Sequence, residues 1–201
     1  MRDIFQIDVF QGVYPPSEDT YLLLDAVDFK AEDSVLDIGC GAGLGTVFAA
    51  SKASSVVGID VSLEAVRNTT ENIRRNNQGG HVEVFQSDLL SAISIKSKFS
   101  LIMFNPPYLP ADDSTTTMDR TLIGGEQGSE LTQIFVRQAS QHLRDRGRLF
   151  LVVSSLANTS AVVKTLEDSG FHIECVAERS LFFEKIQVIK GVFRGHKETV
   201  L

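Results

Sequence analysis

Apolar runs of strand length alternate with helix-forming stretches along nearly all of this 201-residue chain, and several of the runs end in a polar or glycine-rich turn. Strands are predicted near 34 to 38, 55 to 60, 81 to 86, 100 to 104 and 147 to 153, with helices near 43 to 52, 62 to 76 and 129 to 144. A first helix starts at Ser17 as N-cap, carries Glu18 and Asp19 in its first turn and runs through Tyr21-Leu22-Leu23-Leu24. A further helix from about Asn158 to Ser169 stops at Gly170, and two strands near 171 to 177 and 184 to 191 follow. Such alternation predicts an α/β fold built on a doubly wound, mostly parallel sheet. Open sheets of that kind bind ligands beyond the carboxyl ends of their strands, so the turns at those ends carry the functional information.

The first of these turns follows Val35-Leu36-Asp37-Ile38 and reads Gly39-Cys40-Gly41-Ala42-Gly43 before a helix begins at Leu44. Glycine permits a tight turn and a close approach of backbone to ligand, and the helix start adds free N–H groups and a positive dipole end. The strict dinucleotide pattern fails, because Leu44 stands where its third glycine belongs. The second strand, Val56-Val57-Gly58-Ile59, ends in Asp60, a carboxylate placed to bind both hydroxyls of a ribose. The third ends before Asp88, whose carboxylate can accept from an adenine amine.

Asn105-Pro106-Pro107-Tyr108 directly follows the buried-strand pattern Leu101-Ile102-Met103-Phe104. Two prolines stiffen the turn and remove two donors, leaving its carbonyls to accept from another group. A planar NH2 group suits it. The Asn105 side-chain oxygen and the Pro106 carbonyl can each take one N–H, while the Tyr108 ring packs on the flat face. No strong base is expected beside the motif. The stretch Leu109 to Gln127 is irregular and, because it follows the motif, is predicted to be a mobile substrate lid.

Composition narrows the substrate classes. Nineteen basic against twenty-six acidic residues give a net charge of −7, which disfavours strong sequence-independent binding of duplex DNA. No apolar run approaches about 18 residues, so neither a membrane span nor an export signal is predicted. Cys40 and Cys175 fit no zinc or disulfide spacing and are expected to be packed thiols, and four scattered histidines, half-buried or at the surface, offer no metal cluster. In the helix near 129 to 144, Leu131, Ile134, Phe135, Ala139 and Leu143 form a stripe expected to face the core.

Taken together these segments resemble the class I S-adenosylmethionine-dependent methyltransferases of the HemK type. The L-D-I-G-C-G-A-G loop is similar to the family's cofactor motif, Ser87-Asp88-Leu89 to its adenine-side turn and N-P-P-Y to its catalytic signature. Tyr14-Pro15-Pro16-Ser17-Glu18-Asp19-Thr20 and the Gly124-Gly125, Gly128-Ser129-Glu130 pattern resemble the short archaeal and eukaryotic branch, which methylates glutamine in release factors. The resemblance implies a Rossmann-like seven-stranded sheet with an antiparallel last strand. It also implies S-adenosylmethionine held by Thr20, Asp37, Gly39, Gly41, Gly43, Asp60, Asp88, Leu89 and Asn105. Catalysis would fall to Asn105, Pro106, Pro107 and Tyr108, in a cytoplasmic enzyme without a metal.

One domain is expected over 1–201, with an N-terminal extension and first helix over 1–30, a core over 31–192 and a tail over 193–201. Longer bacterial-type members carry an N-terminal helical domain for recognition, whereas some thirty residues precede the first core strand here. The resemblance therefore implies a small zinc-binding activator subunit, expected to pair with the sheet edge at His81 to Gln86 and to cover Phe85. Two other readings stay open on residues alone. N-P-P-Y also serves RNA and DNA methyltransferases acting on exocyclic base amines, and a non-catalytic cofactor-binding partner subunit would share the glycine loop.

Overall fold

The computed structural model describes residues 5–110 and 123–195. Helix α1 (Glu18–Ala26) leads into strand β1 (Ser34–Ile38), helix α2 (Leu44–Ala50), strand β2 (Ser55–Asp60), helix α3 (Leu63–Arg75) and strand β3 (Val82–Gln86). Strand β4 (Phe99–Phe104) is followed by the short strands β5 (Leu109–Pro110) and β6 (Ile123–Gly125), then helix α4 (Glu130–His142) and strand β7 (Leu143–Ser154). Helix α5 (Thr159–Asp168) and strands β8 (Phe171–Ser180) and β9 (Lys185–Phe193) complete the order.

The strands lie in the order β3-β2-β1-β4-β7-β9-β8, as the predicted doubly wound sheet requires. Every pairing from β3 to β7 is parallel, and β9 inserts antiparallel between β7 and β8. Chain order reverses direction between β1 and β4, and the two strand ends there sit side by side with Ile38 opposite Phe104. That is the topological switch point at which such sheets bind ligands.

Alternation along each strand splits the core into two layers. Leu36, Ile102, Phe104, Leu149 and Leu151 face Phe135, Val136 and Ala139 of α4. Val35, Leu101, Met103 and Phe150 face α1 and α2 through Leu22, Leu23, Ala49 and Ala50. Each fully buried Leu, Ile, Val or Phe side chain contributes roughly 1.5–3 kcal/mol relative to exposure. At the opposite end of the sheet from the switch point, buried Arg148 donates to both carboxylate oxygens of Asp33 at 2.6 and 2.5 Å and to the Asp28 carbonyl at 2.6 Å. The pair ties the start of β1 to β7, and these shared bonds make the burial of two charges tolerable.

Several sequence expectations shift. Ile134 is 48% exposed and Val136 is buried, so the core stripe of α4 runs through Phe135, Val136 and Ala139. Strand β7 begins at Leu143 directly after α4, earlier than the apolar pattern indicated, because Leu143 already pairs with Phe99; the exposed Arg144 to Arg146 then bulge out before the ladder resumes at Arg148 opposite Leu101. Cys175 is exposed rather than packed, and His142 is buried, with its Nδ1 3.3 Å from the Ser97 carbonyl and burial lowering its pKa. Phe85 is half-buried against the core layer that holds Ile59, so it is not an open anchor, although β3 pairs only with β2 among the described residues.

Most of the stretch expected to be a lid, residues 111–122, lies outside the described residues. Its two ends are paired, Leu109 opposite Ile123 in a small parallel ladder that sequence periodicity did not indicate. The N-terminal segment runs along α3 rather than along the β3 edge. Asn68, Asn72 and Asn76, one turn apart, accept from the backbone N–H groups of Phe10, Asp8 and Gln6 at 2.8, 3.1 and 3.0 Å and donate back to the carbonyls of Asp8 and Gln6. Side-chain amides thus do for this strap what a neighbouring strand does in a sheet. Among the described residues no helix is long and apolar enough to cross a membrane.

Candidate active site

A cavity of about 400 Å³ opens over the switch point, within the usual range for small-molecule sites. Its lining includes Thr20, Asp37, Gly39, Gly41, Gly43, Asp60, Asp88, Leu89, Asn105, Pro106, Pro107 and Tyr108, so every residue expected to bind the cofactor or to catalyse reaches one concavity.

The floor is the turn after β1. Gly39, Gly41 and Gly43 have φ of +64°, +54° and +88°, where a β-carbon is strained. Space constrains two of them as well: a β-carbon on Gly39 would lie 3.3 Å from the Phe104 ring, and one on Gly43 would lie 2.8 Å from Thr69. Asp60 braces this turn. Its oxygens accept from the N–H groups of Gly41 at 3.0 Å and Ser62 at 2.8 Å, which leaves a lone pair on each for a ligand hydroxyl. Burial holds its carboxyl above the ordinary value even with those donors.

Asp37 lies beneath the glycine turn. It accepts from the Thr46 hydroxyl at 2.6 Å and is pushed up to about 7 by desolvation, with Asp60 adding repulsion and the Thr46 bond opposing the rise. Leu89 has φ +46°, an uncommon conformation for a branched side chain, and follows the exposed Asp88 at one end of the cavity. Val61 was not anticipated. It is 66% exposed and lines the same cavity next to Asp60, an apolar surface suited to the face of a planar base.

The other wall is Asn105-Pro106-Pro107-Tyr108. The Asn105 side-chain oxygen is buried and has no hydrogen-bond partner. An orphan acceptor of this kind costs roughly 1–3 kcal/mol, so its retention marks a place for a donor. The glycines near 124 to 128 explain how the turn is held. A β-carbon on Gly124 would overlap the Pro107 carbonyl, and one on Gly128, at φ +72°, would overlap the Tyr108 carbonyl, so this backbone lies directly against the motif. Glu130 closes the support, accepting from the Gln127 and Ser129 N–H groups, each at 3.0 Å.

A carboxylate, though no strong base, stands beside the motif: the Tyr108 hydroxyl donates to buried Asp19 at 3.2 Å. The other Asp19 oxygen accepts from the Thr20 N–H at 2.6 Å. Burial, then the Asp19 charge, pushes both the Tyr108 and Tyr14 hydroxyls above the ordinary tyrosine value. Thr20 therefore serves its own helix start, since its hydroxyl also accepts from the Ser17 N–H at 3.4 Å, while still lining the cavity. Nothing in the periodicity of the sequence pointed to Tyr14 or to the Asp19–Tyr108 bond, which join segments far apart in the chain. No cluster of metal-binding side chains occurs among the described residues.

A Rossmann-like sheet with a glycine turn, two acids at successive strand ends and a stiff turn bearing an orphan acceptor defines a nucleoside-cofactor transferase site. The chain matches the Methyltransferase small domain family over residues 15–183 and belongs to that family. It is 35% identical over 184 residues to a putative protein N5-glutamine methyltransferase of Methanocaldococcus jannaschii, covering 89% of this chain and 91% of that one. It is 25% identical over 206 residues to the eRF1 methyltransferase catalytic subunit of Schizosaccharomyces pombe, covering 90% and 89%. Among solved structures it is similar, at a TM-score of 0.69 and 28% identity over 91% of this chain and 99% of the other, to one from the E. cuniculi Mtq2–Trm112 complex that methylates the eRF1 translation termination factor.

Gly128→Ala is expected to cost at least about 1–2 kcal/mol of stability from its left-handed conformation alone and to displace Tyr108. Thermal denaturation should show the loss, and methyl transfer should fall by more than cofactor affinity does. A second expectation concerns pH. The folded-state value of about 7 for Asp37 lies above the unfolded value near about 4, so the folded state holds the extra proton between them. That contribution to stability is full below about pH 4 and declines as pH rises towards 7. Asp37→Asn should flatten this decline and gain stability relative to the parent at pH 8, as urea titrations at pH 5 and 8 would show.

Proposed function

We propose that this methyltransferase uses S-adenosylmethionine to methylate the side-chain amide nitrogen of a glutamine in a translation release factor. The observation that carries the reading is the buried, unpartnered Asn105 oxygen beside a nucleoside-sized cavity. The names and coverage of the relatives support the acceptor class, and the net charge of −7 weighs against a nucleic-acid acceptor.

The residues fit the cofactor. Asp60 receives the ribose hydroxyls on its free lone pairs, Val61 and Leu89 cover the adenine, and Asp88 accepts from the adenine amine. Gly39, Gly41 and Gly43 let the backbone approach the ligand, Asp37 supports that turn from below, and Thr20 faces the methionine end. When bound, S-adenosylmethionine supplies an electrophilic methyl group on its sulfonium, and S-adenosylhomocysteine is the product.

The chain must activate a poor nucleophile, because an amide nitrogen shares its lone pair with its carbonyl. Asn105 Oδ1 and the Pro106 carbonyl each accept one N–H of the acceptor amide, which raises electron density on nitrogen and fixes its direction. Pro106 and Pro107 keep those acceptors from relaxing, and Tyr108, held by Asp19, walls the flat face. Orientation and preorganised electrostatics carry the acceleration, and the displaced N–H proton leaves to water.

We further infer that residues 1–201 form one catalytic domain, with its core over 31–192, of a cytoplasmic enzyme, and that the edge of β3, His81 to Gln86, unpaired on its outer side among the described residues, accepts a small zinc-binding partner by strand addition. The Mtq2 structure, from a complex with Trm112, supports a small partner subunit.

Mass spectrometry of a purified release factor incubated with the protein and labelled cofactor, with and without such a partner, should find one added methyl on a glutamine. tRNA, rRNA and DNA incubated in parallel should stay unlabelled. Labelling of nucleic acid alone would reverse the assignment. Asn105→Ala should lower turnover by about 100-fold or more, the scale of a lost preorganised polar contact, while calorimetry finds cofactor affinity within about three-fold of the parent.

A further inference from the structure

Two side-chain atoms among the described residues are buried polar groups without a partner, the Asn105 oxygen and Oε1 of Glu184. The acceptor amide accounts for the first. The second belongs to the turn between β8 and β9, and no step above uses it. A carboxylate oxygen removed from water without a donor is costly, so its presence calls for a donor that arrives from outside.

The sheet register places this turn on the rim of the sheet that carries the reaction site. Strand β4 ends at Phe104, opposite Leu151 of β7. Strand β7 runs on to Ser154, opposite Ile186 at the start of antiparallel β9. Residues 181–184 therefore stand on the same rim of the sheet as Asn105-Pro106-Pro107-Tyr108, two strands across. The turn is pinned there: the Leu181 N–H donates to the Glu184 carbonyl at 2.7 Å, the Lys185 N–H to Ser155 Oγ at 2.9 Å and the Ser155 N–H to the Lys185 carbonyl at 2.9 Å. The Glu184 charge also helps to raise the Tyr108 and Tyr14 hydroxyls, after burial and Asp19, as a carboxylate on this rim would.

The outer side of the same turn is apolar. Phe182 and Phe183 are 93% and 84% exposed, edge to face with ring centroids 4.6 Å apart. Leu156, 41% exposed, follows the Ser155 that pins the turn. Large aromatic side chains left in water beside an unpartnered carboxylate oxygen are characteristic of a protein contact.

We propose that the Leu181–Glu184 turn docks the methyl-accepting polypeptide: Phe182 and Phe183 bury apolar side chains of the acceptor, and Glu184 Oε1 accepts an N–H from the chain next to the methylated residue. This rests on the release-factor reading above. A polypeptide is the occupant because it offers an N–H at every residue, whereas the phosphates of a nucleic acid would be repelled by Glu184 and Asp19. The carboxylate and the aromatic pair thus act on one partner from the two sides of one turn.

The test is steady-state methylation of purified release factor by Phe182→Ser/Phe183→Ser, Glu184→Ala and Glu184→Gln, with Ile95→Ser, an exposed apolar position before β4, as control. The double variant should raise the KM for release factor about ten-fold with kcat nearly kept, the signature of lost docking. Glu184→Ala should lower kcat/KM by a similar factor, and Glu184→Gln, which keeps an accepting oxygen, should recover most of it. Cofactor affinity by calorimetry and the thermal midpoint should stay at parental values throughout, and Ile95→Ser should match the parent. An unchanged KM, or a KM that rises only together with loss of cofactor affinity, overturns the docking and leaves the release-factor reading standing. A double variant that changes oligomeric state in light scattering at constant KM assigns the aromatic pair to a second copy and also overturns it. Failure of the unmodified protein to label release factor refutes the acceptor reading, and the docking with it.

Discussion

Parallel pairing of β1 with β4 is the constraint on which the site depends. Those strands are far apart in sequence, yet the ladder that sets Ile38 opposite Phe104 brings the ends of both to the same height. Each strand then has one direction in which to continue. The first enters the glycine turn and the second enters Asn105-Pro106-Pro107-Tyr108, so the two turns meet over one cavity without any long loop to position them. Because the sheet is covered on both faces by apolar layers, a slip of register would send core residues to the wrong side, which keeps the two ends aligned.

Rigidity at the Asn105-Pro106-Pro107-Tyr108 turn comes from close backbone contact together with one side-chain bond. Gly124 and Gly128 carry no β-carbon, so their segment can lie directly against the Pro107 and Tyr108 carbonyls, while Asp19 holds the Tyr108 hydroxyl from the opposite direction. The two prolines remove internal freedom and these contacts remove the rest. An acceptor oxygen held this way does not need to reorganise when charge develops on its partner, which is the condition under which a hydrogen bond contributes most to a transition state.

Charge in the molecule is sorted by place. The Arg148–Asp33 pair, buried at the far end of the sheet, is fully satisfied, whereas the unsatisfied buried acceptors among the described residues, on Asn105 and Glu184, stand at the site rim. Polar groups that serve the fold are paired, and those left unpaired face the place where a substrate arrives. The Asn68, Asn72 and Asn76 ladder follows the first rule, holding the N-terminal strap so that the residues after it, Gly12 to Tyr14, line the cavity.

The sequence by itself determined the sheet class, the strand-end acids, the glycine turn and the stiff Asn-Pro-Pro-Tyr turn, because each depends on local periodicity or on residues whose conformations are intrinsically restricted. Tertiary structure alone decided what those residues meet. The stripe of α4 was misread at Ile134 because helical spacing fixes a face only to within one neighbouring position, and the packing of Phe135, Val136 and Ala139 against β4 and β7 made the final choice. Asp37 was expected to face the ligand; it lines the cavity and also bonds to Thr46 beneath the turn, so a strand-end carboxylate can serve the loop itself. Val61, the Asp19–Tyr108 bond and the Glu184 carboxylate left no signature in the sequence, and Tyr14 stood there only as the first residue of a motif. The Asp19–Tyr108 bond joins segments 89 residues apart, and only folding sets such a distance.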